Sequence, residues 1–172
     1  LIPGSGVDLE KFKPANMEFK KPIIIFPSRI LISKGVLEFV EAARILKSEA
    51  KFIICGKLDP ECKDAIKQDL LESWVNENLI EFWGFSNKME RTLLKGSIIV
   101  LPSYREGMPK VLCEAAACGK PIVTTDVPGC RESIIDGKSG ILIPKKNPLE
   151  LAKAIKMLID DKNISASMGK EA

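Results

Sequence analysis

The stretch Ile98-Ile99-Val100-Leu101-Pro102-Ser103-Tyr104-Arg105-Glu106-Gly107-Met108-Pro109-Lys110-Val111-Leu112-Cys113-Glu114-Ala115-Ala116-Ala117-Cys118-Gly119-Lys120-Pro121-Ile122-Val123-Thr124 decides the fold. Its first four residues form a short, unbroken apolar run, which reads as a strand buried on both faces. Pro109 suits the first turn of a helix, where a missing N–H costs little, and Gly119 suits the cap at its other end. A second apolar run, Pro121 to Thr124, follows at once. Strand, helix, strand in immediate succession is the unit from which parallel sheets are built.

The same alternation continues in both directions. Upstream, Ile23-Ile24-Ile25-Phe26 and Phe52-Ile53-Ile54-Cys55, the latter closed by Gly56, are expected strands. Between them Ser33 is a candidate N-cap, and Val36, Phe39, Val40, Ala43 and Leu46 recur at helical spacing. Residues 60–75 predict a mostly polar helix, Leu79 to Trp83 a strand, and Met89 to Lys95 a short helix. Downstream, Gly140 to Ile143 is a sixth strand. Pro148 opens a last helix whose stripe of Leu149, Ala152, Ile155, Met157, Leu158 and Ile159 is expected to face the core. The expectation is an α/β fold: a Rossmann-like, three-layer α/β/α domain around a six-stranded parallel sheet. Neither a repeat nor a second domain is visible.

Composition narrows the chemistry. The 172 residues suit one domain, 45% of them are hydrophobic, and the net charge is only +3, which argues against a nucleic-acid partner. There is no histidine, so Ser-His-Asp and Cys-His nucleophilic sites are excluded within this chain, as is the commonest neutral metal ligand. The five cysteines, at 55, 62, 113, 118 and 130, show no C-x-x-C spacing and read as free thiols in a reducing cytosol. No apolar run approaches the roughly 20 residues that span a bilayer. The chain opens Leu1-Ile2-Pro3 without a methionine and ends in a polar stretch, which suggests a piece of a longer protein.

In a parallel sheet, ligands bind outside the carboxyl ends of the strands, so the loops starting there hold the candidates. After the first strand come Arg29 and Lys34, just before a helix. Two cations beside a helix N-terminus make a diphosphate site. The alternative is that both are solvated surface residues. After the fourth strand come Glu106, Gly107 and, eight residues past the first acid, Glu114. Carboxylates accept from the hydroxyls of sugars and riboses, and glycine permits close approach of the backbone. Without further context the two glutamates read equally well as an acid near a helix start and a surface residue. Gly84 and Phe85 could present backbone groups and an aromatic edge to a base, although Trp83 and Phe85 are by type more often core, and Thr125 to Gly129, with Glu132 beyond, reads as a turn at the same rim. Two phosphate motifs fail on spacing. Gly4-Ser5-Gly6 lacks its third glycine, and Gly137-Lys138-Ser139 has Glu132 where a glycine is required.

Taken together the loops resemble the C-terminal domain of family 4 glycosyltransferases of the GT-B fold. The likeness runs from Ile2-Pro3-Gly4-Ser5-Gly6-Val7-Asp8 and Phe12 through Ser28-Arg29, Lys34-Gly35 and Gly56. It is strongest over residues 104–115, where Glu106 and Glu114 meet the family's E-x7-E pattern. It ends with Gly119-Lys120-Pro121-Ile122-Val123 and Gly140-Ile141-Leu142-Ile143-Pro144. Met108 and Pro109 stand where many members carry an aromatic residue and a second glycine. That form, with Asp126-Val127-Pro128-Gly129-Cys130-Arg131-Glu132, is similar to the bacterial capsule and O-antigen subgroup.

The resemblance implies a retaining transfer from a nucleotide-sugar donor, UDP-linked in the expected case, with no cofactor and no metal. Arg29 and Lys34 would hold the diphosphate, and Glu106 the sugar. Glu114 would take the ribose, with Phe85 near the base. Gly56 and the backbone at Gly107, Met108, Pro109, Val111 and Leu112 would line the donor. It also implies that residues 1–172 are the donor half of the enzyme and that the acceptor, a glycan or an undecaprenyl-diphosphate-linked sugar, meets an N-terminal domain outside this chain. The isolated half is then expected to be inactive, and the full enzyme cytoplasmic or peripheral on the inner membrane's cytoplasmic face. The rivals are a UDP-sugar epimerase of the same fold and a non-catalytic binding domain.

Overall fold

A computed structural model describes residues 6–15 and 20–172. Each expected apolar run becomes a strand: β1 (Ile23–Phe26), β2 (Lys51–Ile54), β3 (Glu81–Phe82), β4 (Ile98–Leu101), β5 (Ile122–Thr125) and β6 (Gly140–Ile143). The helices are α1 (Val36–Leu46), α2 (Gln68–Asn76), α3 (Met89–Leu94), α4 (Lys110–Ala117), α5 (Pro148–Asp160) and α6 (Lys162–Glu171). All strand pairs are parallel, in the order β3-β2-β1-β4-β5-β6.

The order matters because the chain leaves β1 in one direction and, from β4 onward, builds in the other. Right-handed crossovers then put α1 and α4 on opposite faces. On one face α1 packs against α5, and on the other α3 packs against α4. With both faces covered, β4 and β5 are buried along their whole length. Phe26, Phe39 and Phe52 form an aromatic wedge between β1, α1 and β2, with successive ring centroids 5.4 Å apart. Fully burying such a ring contributes about 1.5–3 kcal/mol.

Four expectations need correction. The helix proposed over 60–75 begins only at Gln68, because residues 59–65 turn back onto the loop after β1. Asp64 accepts from the Ile32 N–H at its carbonyl and from the Ser33 N–H at Oδ2 (2.8 and 2.9 Å), and Leu31 pairs with Ala65 in a short bridge. Those tertiary bonds take the groups a helix would use. Ser33 caps nothing, since Ile32–Lys34 forms a 3-10 turn and α1 starts after Gly35. Pro109 likewise stands at the N-cap of α4, one place ahead of the first turn. In α5 the buried stripe is Leu151, Ala152, Ala154, Ile155 and Leu158, whereas Leu149 and Met157 are exposed. The polar end of the chain folds as α6, started by Asp161, whose carboxylate accepts from the Asn163 and Ile164 amides. Ile2 to Ser5 of the opening motif lie outside the described residues.

Candidate functional site

The direction of strand order reverses between β1 and β4, and the crevice beyond the carboxyl ends of such a strand pair is where doubly wound sheets bind ligands. The loops from β1 and β4 meet there. Tyr104 N–H donates to the Ser33 carbonyl (2.8 Å), which brings Lys34 alongside Glu106. Lys34 Nζ donates to Glu106 Oε1 at 2.5 Å, and the side chains retain only 19% and 12% of their exposure. Ser103 Oγ, on a fully buried residue, donates to the same Oε1 at 2.7 Å. Among the described residues Glu106 Oε2 receives no hydrogen bond, so the carboxylate keeps an acceptor in reserve.

Two further tiers flank this pair. Arg29, the other expected cation, is exposed and stands 3.8 Å from Asp59. The backbone beneath it is pinned, because Gly56 lies so close to Ser28 that a Cβ would run into the Ser28 carbonyl oxygen. Gly56 is therefore a buried support for Ser28 and Arg29, with no surface of its own to offer. On the other side Tyr104 donates its hydroxyl to Glu38 (2.7 Å), and Lys146 lies over its ring at 5.0 Å. Burial and the adjoining Glu38 carboxylate push the Tyr104 phenol far above its ordinary range, so it stays a donor. Sequence patterning alone gave no sign of Glu38, which occupies a nominally apolar helix face.

Glu114 lies in the body of α4, with its side chain 12% exposed and 3.8 Å from Lys110 Nζ. Burial raises its proton affinity above that of an ordinary glutamate, and Lys110 and Lys11 partly counter the effect. At the start of α4 the chain offers amides that no preceding helical carbonyl can accept. Gly107 and Met108 are exposed and Val111 half-buried, so their backbone is near the surface. Pro109 is buried and has no N–H. Leu112 does not fit a lining role. It is fully buried, and its amide already donates to the Pro109 carbonyl (2.9 Å).

Trp83 and Phe85, whose type alone would favour the core, are 36% and 68% exposed. With Cys55, Ser86, Lys88 and Lys95 they line an open cavity of about 570 Å³ beyond the ends of β2 and β3. Lys95 Nζ sits 5.3 Å over the Trp83 ring. The ring edges are presented here because β3 is only two residues long and at the sheet margin, where no further strand covers it. Of the expected site residues, Lys34 and Glu106 are brought into direct contact, Arg29 and Phe85 follow the carboxyl ends of β1 and β3, and Glu114 stands apart along α4.

Residues 8–172 match the sequence model of the family described as "Glycosyl transferases group 1". The chain belongs to that family. As a group 1 glycosyl transferase it is 33% identical, over 187 aligned positions, to N,N'-diacetylbacillosaminyl-diphospho-undecaprenol alpha-1,3-N-acetylgalactosaminyltransferase of Campylobacter jejuni. The match covers 100% of this chain and 48% of that protein. The fold is one half of a GT-B enzyme. Its structure resembles that of HepE from Anabaena, solved with UDP-glucose, at a TM-score of 0.86 and 21% identity, covering 96% of this chain and 49% of that one. The C-terminal domain of the group 1 protein LpcC from Francisella tularensis superposes with a TM-score of 0.81 at 26% identity, over 96% of this chain and 94% of that one. The chain spans about half the length of the curated relatives it matches. Among the described residues no helix is long and apolar enough to cross a membrane.

Proposed function

We propose that this chain is the donor-binding domain of a family 4 glycosyltransferase that uses a UDP-sugar, needs no metal and retains the donor's anomeric configuration. The observation that carries the reading is the Lys34–Glu106 contact at the switch point of the sheet, where a cation and a carboxylate acceptor, both mostly buried, stand 2.5 Å apart. A nucleoside diphosphate sugar needs both. When its C1–O bond breaks, the electron pair leaves on the diphosphate and positive character grows at C1. Lys34, Arg29 and the amides opening α4 would offset the first charge without reorganising, and losing one such donor costs about 3 kcal/mol in the barrier. Glu106 would accept from sugar hydroxyls through its open oxygen. Glu114 would accept from the ribose, and Phe85 would flank the base in the cavity it lines with Trp83.

The relatives support the same reading. HepE was solved with UDP-glucose, and the Campylobacter jejuni enzyme is named for a diphospho-undecaprenol substrate. On that basis the acceptor is a glycan or an undecaprenyl-diphosphate-linked sugar of the capsule or O-antigen type. It would be held by an N-terminal domain, with the whole enzyme in the cytoplasm or against the inner membrane. Isothermal titration of this chain with UDP, UDP-glucose and UDP-N-acetylglucosamine tests the donor side. Binding should survive EDTA and weaken in Lys34→Ala and Glu114→Ala. A folded domain that binds none of them would contradict the proposal. Product analysis on the full-length enzyme separates transfer from epimerisation, and turnover by these residues alone would overturn the expectation that the half enzyme is inactive.

A further inference from the structure

The loop after β5 makes no contact in the scheme above, yet it touches the Glu106 segment twice. Thr125, wholly buried at the end of β5, donates its hydroxyl to the Ser103 carbonyl in a short hydrogen bond. Ser103 in turn gives its own hydroxyl to Glu106 Oε1. Four residues on, Gly129 adopts a left-handed φ of 83° and lies so close to the Glu106–Gly107 peptides that a Cβ would strike the Gly107 carbonyl oxygen. The loop is itself held. Arg131 binds Asp126 through its side chain (2.8 Å) and backbone carbonyl (3.1 Å), Ser133 Oγ donates to the Gly129 carbonyl (2.9 Å), and Cys130 is fully buried.

We infer that the segment Thr125–Gly129 is the positioning device for Glu106, setting its carboxylate through the Thr125–Ser103 relay and its backbone through the Gly129 contact. The physical reason is that Lys34 alone cannot orient a carboxylate. An ammonium ion is a point charge on a flexible stem, and it pairs with either oxygen equally well. Adding a fixed hydroxyl donor to the same oxygen makes the two oxygens inequivalent, with Oε1 tied down and Oε2 turned outward. Ser103 and Thr125 are therefore positioning residues, and Ser103 is the joint between them. The consequence for binding rests on the donor-site reading above. The relay then governs the sugar and not the nucleotide, because Glu106 is the residue assigned to sugar hydroxyls.

Two measurements separate the inference from that reading. Crystal structures of Ser103→Ala and of the near-isosteric Thr125→Val need no ligand. The inference expects the Glu106 carboxylate plane to turn so that both oxygens contact Lys34, or its side chain to take another rotamer, and a carboxylate unmoved in both variants overturns it. Titration of the same variants with UDP and with UDP-glucose or UDP-N-acetylglucosamine reads the consequence. Affinity for UDP should stay within about twofold, while the extra affinity conferred by the sugar falls about tenfold in Ser103→Ala, equivalent to about 1.4 kcal/mol. Thr125→Val should show a smaller loss in the same direction. Equal losses for UDP and UDP-sugar would mean a merely structural role and would also overturn it. If the wild-type chain binds no nucleotide, the donor reading fails, and the crystallographic result still decides the positioning role.

Discussion

The two sides of the rim are built on different principles. At the switch point, Lys34 and Glu106 are mostly buried, Lys34 and the Ser103 hydroxyl both donate to Glu106 Oε1, and the two loops are tied by the Tyr104–Ser33 backbone hydrogen bond. Toward the β3 edge, Arg29 is more than half exposed with a long 3.8 Å partner, and Trp83 and Phe85 present their rings to an open cavity. Desolvated charges in fixed geometry stabilise one charge distribution strongly and tolerate little change. Exposed rings and flexible cations bind by contact area and adapt. The first arrangement suits the place where charge moves, and the second suits a part of the ligand that is only held.

The sharpest way to break this contrast is Gly56→Ala. The added methyl meets the Ser28 carbonyl, so β1 and β2 cannot keep their present spacing at the rim. A loss of about 3 kcal/mol is expected, at the upper end of the usual range for overpacked buried sites, and chemical denaturation reads it. A loss under about 1 kcal/mol would mean the rim is softer than described.

Next comes Lys34→Met, which leaves Glu106 without its cation. Breaking a fully buried pair costs about 3–5 kcal/mol, and the residual exposure here reduces that to about 2 kcal/mol. The companion change Arg29→Met should alter stability by less than about 0.5 kcal/mol, as exposed pairs do, while still weakening UDP binding. Comparable stability losses in both variants would erase the distinction between the two sides.

Glu114 gives a pH test. Its folded proton affinity is raised, chiefly by burial, so the fold is at ease with the neutral acid and is penalised as the group ionises. The penalty is absent below the unfolded pKa and grows as pH rises through the folded one. Glu114→Gln should therefore match the parent in stability at low pH and slightly exceed it at neutral pH. If the ionised form accepts the ribose, UDP affinity should also fall on acidification earlier than for an ordinary glutamate, and the Gln variant should show a flat profile. The smallest effect is expected from Phe85→Ala, which should leave the melting temperature unchanged within about 2 °C while reducing affinity for uridine nucleotides, because its ring is mostly in solvent.

How much of this was legible beforehand follows from which forces write a pattern into sequence. The strands were legible because a sheet covered on both faces demands unbroken apolar runs, as at Ile98–Leu101. The spacing of the glutamate pair and the place of Lys34 before a helix left a surface role equally open, and only the resemblance to a family pattern singled these residues out. Residues 60–67 were not, because hydrogen bonds from Asp64 to a loop some 30 positions away overrode local preference. Glu38 was invisible for the same reason, since its Tyr104 partner is 66 positions distant. The exposure of Trp83 and Phe85 could not be read from their type, which says nothing about where a sheet ends. The Asp161 cap was readable in principle, a capping residue followed by Ile164 and Met168 one turn apart, but the segment's low apolar content masked it.

In the bridge between Lys34 and Glu106 each charge is balanced by the other. A bare anion arriving there must pull the lysine from its partner and strand a carboxylate, and a neutral sugar has no charge to offer the ammonium. Only a molecule carrying negative charge and hydroxyls a few ångströms apart answers both groups at once. On the donor-site reading proposed above, the pair would favour a ligand that carries a phosphate and sugar hydroxyls together over either one alone.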